Sequence, residues 1–204
     1  MAATDPWAAL RDLRPDLPWA ALARLAQELH RWNRAIRLVG PRTLEGVALQ
    51  VADALLPFLL EPPAFPFLDI GTGAGLPLLP VALAHPGQPC AGIEPRSRRV
   101  AFVRHAARLL GLPRVSVYEG RAPDLLAEAP ELEGAFRTVT LRAVTQPGPA
   151  LELARPFLTP DGCVFLLLGA EPLPDLPGWA LRRHRACPPL PGFGPRAVAV
   201  LSPR

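Results

Sequence analysis

Three glycines at alternate positions, placed between two acidic residues, are the part of this chain best suited to bind a ligand. Asp69 lies in an apolar run, and Gly71, Gly73 and Gly75 follow it. Glycine adopts backbone conformations that other residues avoid, and it lets main chain approach a ligand closely. The pattern predicts a strand, a tight turn and the start of a helix. Glu94 ends a second apolar run, where its carboxylate could accept hydrogen bonds from a ribose.

The spacing of the glycines separates the cofactors that such a turn could bind. A dinucleotide-binding turn requires its third glycine at position 76, where this chain has Leu76. A nucleoside-triphosphate loop requires a lysine followed by serine or threonine, and the chain contains no lysine. Glycines at alternate positions between two acids resemble instead the S-adenosylmethionine-dependent methyltransferases.

Composition favours a single domain with an appendage. The 204 residues are 50% hydrophobic, which is enough to bury a full core. No apolar stretch approaches the roughly 20 residues that span a bilayer, and the first residues lack the pattern of a secretory signal. We therefore expect a cytoplasmic, monomeric protein with no membrane partner. The three cysteines are widely spaced in apolar segments, which predicts neither disulfides nor a metal site.

Arginine accounts for all 22 basic residues, and the formal net charge is +4. Such a charge permits a polyanionic partner. The absence of lysine and the 28 prolines are more typical of a GC-rich genome than of selection by a ligand. Net charge alone is therefore weak evidence for nucleic-acid binding.

The order of the predicted elements indicates an α/β fold. Apolar residues recur at helical spacing over 18–37 and 44–60, which predicts a helical cap over residues 1–63. Strand and helix patterns then alternate through residues 64–204. Strands are predicted at 67–70, 90–94, 115–118, 137–142, 163–168, 179–186 and 196–201, and helices near 77–84, 97–110, 122–128 and 149–157. This alternation predicts a doubly wound, mostly parallel seven-stranded sheet of the Rossmann-like kind, with ligands at the carboxyl ends of its strands.

Four sequence blocks narrow the resemblance to one family. They are residues 69–80, 98–112, 120–122 and 141–144, with weaker matches at Trp32-Asn33, Asp53 and Arg196. The first block is similar to the family pattern Gly-x-Gly-x-Gly-Phe/Leu-Pro-Gly-x-Pro. Together they resemble the glucose-inhibited division protein B family, the RsmG methyltransferases that modify guanine N7 in small-subunit ribosomal RNA.

The resemblance implies S-adenosyl-L-methionine as the cofactor of residues 64–204. It implies that Gly71 and Leu76 line the cofactor, in the same turn as Gly73 and Gly75. By the same resemblance, Asp69 would order the methionine end of the cofactor. Glu94 would hold its ribose hydroxyls.

Further residues follow from the third and fourth blocks. The resemblance implies that Ala122 and Pro123 present their backbone to the adenine. It also implies that Arg142 faces the reaction site, where it would contact the cofactor and serve as the catalytic residue. For Arg142, a simple ion pair at the end of a strand is the alternative.

Ribosomal RNA or the small ribosomal subunit is the partner that the resemblance implies. Asn33, Arg37 and Arg196 are the expected RNA-contacting residues. Arg31 and Arg34 precede Arg37 at a spacing of three, which predicts one helix face for all three arginines.

Departures from the family pattern leave other functions open. Val39, Gln50 and Leu168 stand where the family has threonine, histidine and lysine, and Leu78 replaces a glycine. Methylation of guanine N7 uses a lone pair that is already free, so the reaction needs alignment and charge stabilisation rather than a general base. The alternatives are a divergent methyltransferase with another acceptor and a non-catalytic, cofactor-binding protein associated with RNA or the ribosome.

Overall fold

A single seven-stranded sheet forms the centre of the protein in a computed structural model that describes residues 5–142, 146–169 and 172–204. The strands are β1 (Phe67–Ile70), β2 (Cys90–Glu94), β3 (Val115–Glu119), β4 (Phe136–Leu141), β5 (Leu158–Leu168), β6 (Trp179–Ala186) and β7 (Ala197–Pro203). Their spatial order is β3-β2-β1-β4-β5-β7-β6. The first five are parallel, whereas β7 runs antiparallel to both β5 and β6. The predicted doubly wound, mostly parallel sheet is confirmed.

Helices precede the sheet and connect its strands. They are α1 (Ala8–Leu13), α2 (Trp19–Asn33), α3 (Leu44–Leu60), α4 (Leu78–Ala84), α5 (Ser97–Leu109), α6 (Ala122–Glu128) and α7 (Pro147–Ala154). Short 3₁₀ turns at Pro130–Leu132 and Arg155–Phe157 complete the connections. Most predicted bounds agree to within a few residues, but the sequence pattern gave no indication of α1.

Strand β5 begins at Leu158, earlier than the predicted residue 163. The Asp161-Gly162 pair resembles a turn in sequence, but both residues lie within the strand. The register shifts between Phe136 and Thr138 on the neighbouring strand, which marks an irregularity in the pairing. A Cβ atom at Gly162 would lie 3.0 Å from the carbonyl oxygen of Phe136, so glycine permits this close approach.

Helix α2 ends at Asn33, and the prediction of a helix to residue 37 is wrong. The Asn33 side-chain oxygen accepts hydrogen bonds from the amides of Leu38 (2.7 Å) and Val39 (3.0 Å), and its amide nitrogen donates to the Pro41 carbonyl (2.8 Å). These bonds stabilise a loop in place of further helical turns. Arg34 and Arg37 therefore lie beyond the helix, and the predicted single helix face with Arg31 is not formed.

Helix α3 links the N-terminal helices to the sheet. Its Thr43 N-cap accepts a hydrogen bond from the Gly46 amide at 3.2 Å, which fixes the start of the helix. Phe58 is fully buried, stacked on Phe165 of β5 with ring centroids 5.6 Å apart and edge-on to Phe67 of β1 at the same distance. The N-terminal helices and one face of the sheet consequently share one hydrophobic core.

The strand order reverses between β1 and β4, which defines the edge where ligands bind in such sheets. Ile70, the last residue of β1, pairs with Leu141, the last residue of β4. Gly71 and Arg142, which come next in the chain, therefore lie at the same level. Parallel neighbours that lead to connections on opposite sides leave a crevice at their carboxyl ends. The glycine turn and Arg142 thus lie side by side at the carboxyl ends of neighbouring strands.

Two negative findings concern the described residues alone. Among them, no helix is long and apolar enough to cross a membrane. In the same ranges no group of histidine, cysteine and acidic side chains could hold a metal ion. Cys90, Cys163 and Cys187 are free, and burial raises the pKa of the Cys90 thiol to about 12.

Replacing Phe58 tests whether the helices and the sheet share this core. Phe58→Ala should lower the free energy of unfolding by about 3–5 kcal/mol, because it removes an aromatic ring between α3 and two strands. Urea denaturation followed by circular dichroism should show one transition. The control Leu181→Ala, at a side chain that is 52% exposed, should cost less than about 0.5 kcal/mol. Similar losses in the two variants would contradict a shared core.

Candidate functional site

The glycine turn adopts backbone conformations that require its residue type. Gly71, Gly73 and Gly75 have φ angles of +74°, +57° and +73°, in the left-handed region that favours glycine. A Cβ atom at Gly75 would also lie 2.6 Å from the Leu79 side chain. The amides of Gly71 and Thr72 both donate to the Ile93 carbonyl, which joins the turn to β2. The predicted tight turn between β1 and α4 is present.

Asp69 presents a buried carboxylate beneath this turn. Its Oδ2 accepts a hydrogen bond from the Leu78 amide at 3.3 Å, while its Oδ1 has no hydrogen-bond partner among the described residues. Burial raises the pKa of Asp69 to about 7, and the Thr72 side chain, the Leu78 amide and the nearby Arg142 guanidinium each offset part of this effect. A buried carboxylate with an unpaired oxygen is suited to a cationic ligand group.

Leu78, which replaces a family glycine, packs into the sheet. Its side chain is fully buried, and a Cβ atom at Gly92 in β2 would lie 2.6 Å from its Cδ2. The absence of a side chain at Gly92 therefore accommodates the larger residue at position 78. Its backbone amide remains available to Asp69.

Glu94 connects the loops that follow β1 and β2. Its Oε2 accepts a hydrogen bond from the Gly73 amide and its Oε1 accepts one from the Arg96 amide, both at 3.0 Å. Arg99 Nη1 lies 3.9 Å from Oε2. Because each carboxylate oxygen can accept more than one hydrogen bond, Glu94 retains capacity for the hydroxyls of a ribose.

The start of α6 lies next to Glu94. The Gly120 amide donates to the Glu94 backbone carbonyl at 3.2 Å, which joins the ends of β2 and β3. Ala122 is buried at the first position of α6, and Pro123 beside it is exposed. The backbone predicted to face the adenine therefore adjoins the residue predicted to hold the ribose.

Arg142 follows β4 and forms an ion pair with Asp53 of α3. Asp53 is buried, and its other oxygen lies 3.2 Å from Nε of Arg196, which precedes β7. One carboxylate from the N-terminal helices thus holds two arginines that the sequence predicts as site residues. Ala143 and Val144, the other residues of this sequence block, lie outside the described residues.

Sequence reasoning assigned no role to Asp53, although a signal was present. Residues 51–58 of α3 are apolar except for this acid, and all of them are buried. A carboxylate in such a run requires a cationic or hydrogen-bonding partner. The identity of the partners depends on contacts with β4 and with the segment before β7, which are distant in sequence.

The predicted RNA-contacting residues are in two different places, since Asn33 and Arg37 share one cavity and Arg196 lies elsewhere. The side-chain amide of Asn33 is bonded to the loop that follows α2, through the Leu38 amide and the Pro41 carbonyl. Asn33 also lines a cavity beside that loop. Arg37 is exposed and borders the same cavity. Arg196 is partly exposed, with its guanidinium 5.4 Å from the centre of the Phe193 ring. Their contact with RNA stays a prediction.

Comparisons with known proteins agree with this geometry. A curated relative from Wolinella succinogenes named ribosomal RNA small subunit methyltransferase G is 37% identical over 155 residues, which cover 76% of this chain and 77% of that protein. The crystal structure of TrmN from Thermus thermophilus is 25% identical with a TM-score of 0.54, covering 77% of this chain and 48% of that one. An M. jannaschii structure in complex with AdoMet has a TM-score of 0.52 at 17% identity, over 68% of each chain, which shows the fold alone.

A match over most of the chain confirms the resemblance inferred from the sequence blocks. The family described as rRNA small subunit methyltransferase G matches residues 19–178. This range includes α2, α3, the glycine turn, both acids and Arg142. The predicted S-adenosylmethionine-dependent methyltransferase is thereby confirmed, and the chain belongs to the rRNA small subunit methyltransferase G family.

Proposed function

We propose that this chain transfers the methyl group of S-adenosyl-L-methionine to N7 of a guanine in small-subunit ribosomal RNA. The arrangement around Asp69 carries the proposal. Its unpaired oxygen is buried at the reversal of the strand order, beneath the glycine turn and beside Arg142. A polar atom buried without a partner costs free energy, and a cationic ligand would offset that cost.

The residues present fit the cofactor. Asp69 has an acceptor for the ammonium group of the methionine end, and Glu94 has acceptor capacity for the ribose. The backbone at Gly73 lies between these two acids and is not crowded by its neighbours, since even a Cβ atom there would lie at ordinary van der Waals distance from the nearest atoms. When bound, the cofactor supplies an electrophilic methyl group on a positively charged sulfur.

The chain's own residues then have to align the base. Guanine N7 and O6 are both hydrogen-bond acceptors on the same edge. The Arg142 guanidinium can donate to O6 of that edge while Asp53 fixes its orientation, which leaves the N7 lone pair free to react. Because N7 carries no proton, its reaction needs no general base, and alignment in a site of fixed polar groups supplies the rate enhancement.

Methyl transfer to unmodified RNA tests the proposal directly. Purified protein with labelled cofactor should methylate small-subunit ribosomal RNA transcribed in vitro or assembled into subunits from unmodified RNA. Mass spectrometry of the digested nucleosides should identify 7-methylguanosine. Transfer only to other molecules would support a divergent acceptor. Cofactor binding without any transfer would support the non-catalytic alternative.

The pKa of Asp69 predicts how cofactor affinity depends on pH. The pKa of about 7 means that the carboxyl is mostly protonated below that pH in the free protein, whereas a cationic ligand binds its ionised form. Affinity should therefore rise with pH by up to about tenfold per unit below the pKa, and level off above it. Isothermal titration calorimetry of the wild type should show this rise. Asp69→Asn should show a flat, weaker profile, and matching profiles would contradict the assignment.

Asp53 should affect turnover more than cofactor binding. Asp53→Asn removes the charge that orients Arg142, and kcat for RNA methylation should fall by about ten- to a hundredfold. The dissociation constant of the cofactor should change much less.

Glu61 provides a matched control at the end of the same helix. This buried carboxylate also pairs with two arginines, Arg183 and Arg185 of β6. Glu61→Gln removes a similar ion-pair cluster away from Arg142, so it should leave kcat close to that of the wild type. An equal loss of kcat in both variants would show that the effect of Asp53 is general.

A further inference from the structure

A cavity of about 430 Å³ lies beside the C-terminal end of α2. Its lining includes His30, Asn33, Arg34, Arg37 and Arg42, and we refer to it as the arginine pocket. The volume is within the range of small-ligand sites, which is roughly 300–1,000 Å³. It is larger than a single phosphate group requires, and it can admit part of a nucleotide.

The charge of the arginine pocket is uniformly positive. Three arginines line it and no acidic residue does. Within the described ranges, no carboxylate lies within 4.0 Å of the side-chain nitrogens of Arg34, Arg37 or Arg42. Arg31, on the last turn of α2, is by contrast paired with Glu28 at 2.5 Å. The pocket therefore brings together three arginines whose charges are not compensated locally, which favours an anion.

Two further features indicate a formed binding site. The Nδ1 atom of His30 is buried and has no hydrogen-bond partner in the described part of the chain. A buried nitrogen without a partner in a pocket lining is suited to a ligand. Asn33 fixes the loop that lines the pocket, since its side chain bonds Leu38, Val39 and Pro41 of the loop that carries Arg42. The loop is thus held in place without a ligand.

A second cavity extends this basic surface toward the cofactor residues. Its volume is about 560 Å³, and Arg37 borders both cavities. Arg96, Arg98 and Arg99 also line it, and Arg99 lies 3.9 Å from the Glu94 carboxylate. An anion in the arginine pocket would consequently be separated only by this second cavity from Arg99 and its neighbour Glu94, the residue predicted to hold the ribose.

We propose that the arginine pocket binds a backbone phosphate of single-stranded RNA, next to the nucleotide that is methylated. The inference rests on the proposed function, because it takes RNA as the substrate. Phosphates of a flexible single strand can enter a concave basic pocket, and the charge-assisted bonds would fix the register of the strand. The pocket would hold the RNA without taking part in the chemical step.

The double variant Arg34→Ala/Arg42→Ala tests the arginine pocket. Its KM for unmodified small-subunit ribosomal RNA should rise by about tenfold, with kcat and cofactor affinity close to wild type. RNA affinity measured from about 50 to 200 mM salt should have a shallower dependence, by about 0.7 in slope for each lost phosphate contact. Arg24→Ala/Arg114→Ala is the matched control, because it removes two exposed arginines outside both cavities.

The outcomes separate the two proposals. If the wild type methylates RNA and the two double variants have equal KM values and salt slopes, the arginine pocket does not bind RNA. If the wild type transfers no methyl group to RNA, the proposed function fails instead.

Titration with pyrophosphate distinguishes a free anion from RNA. Pyrophosphate binding that requires Arg34 and Arg42, together with unchanged RNA affinity in the variant, would overturn the assignment to RNA.

Discussion

The parallel pairing of β1 with β4 is the constraint on which the candidate site depends. Its register brings the glycine turn after β1 and Arg142 after β4 to the same level. Helices α4 and α7, which follow the two strands, pack in different hydrophobic clusters on the two faces of the sheet, and ligands bind in the crevice at such an edge in open α/β sheets. Asp69, at the base of this crevice, is buried by its own strand neighbours. Its unpaired oxygen and raised pKa both follow from that position.

The N-terminal helices contribute to the site rather than only covering it. Helix α3 is apolar on nearly all sides and packs deep against the sheet, with Phe58 between Phe67 and Phe165. This packing fixes the position of Asp53 one and a half turns earlier on the same helix. The carboxylate thereby reaches Arg142 and Arg196. Core packing and the orientation of a candidate catalytic arginine are therefore coupled through one helix.

Some arginines in this protein pair with buried carboxylates, and others have no close acidic partner among the described residues. Arg142, Arg196 and two arginines of β6, Arg183 and Arg185, pair with buried carboxylates of the α3 segment. The arginines around the two cavities near Arg37 have no such close partners among the described residues, apart from the long contact of Arg99 with Glu94. Net charge could not separate these groups, because every arginine adds one positive charge to the total whatever its partner. Their different partners supply the physical basis for assigning an anion site.

Local sequence determined much of this protein. Alternating apolar runs and turn signals predicted the sheet, and the three glycines predicted the tight turn after β1, because strand ends and positive φ angles depend on neighbouring residues. Tertiary structure decided the rest. The end of α2 at Asn33, the pairing of Asp53 with two arginines and the grouping of Arg34, Arg37 and Arg42 around a cavity depend on loop contacts or on segments far apart in the chain. The periodicity of apolar residues cannot specify such contacts. It indicates which face of a helix or strand is buried, but not which segment packs against that face.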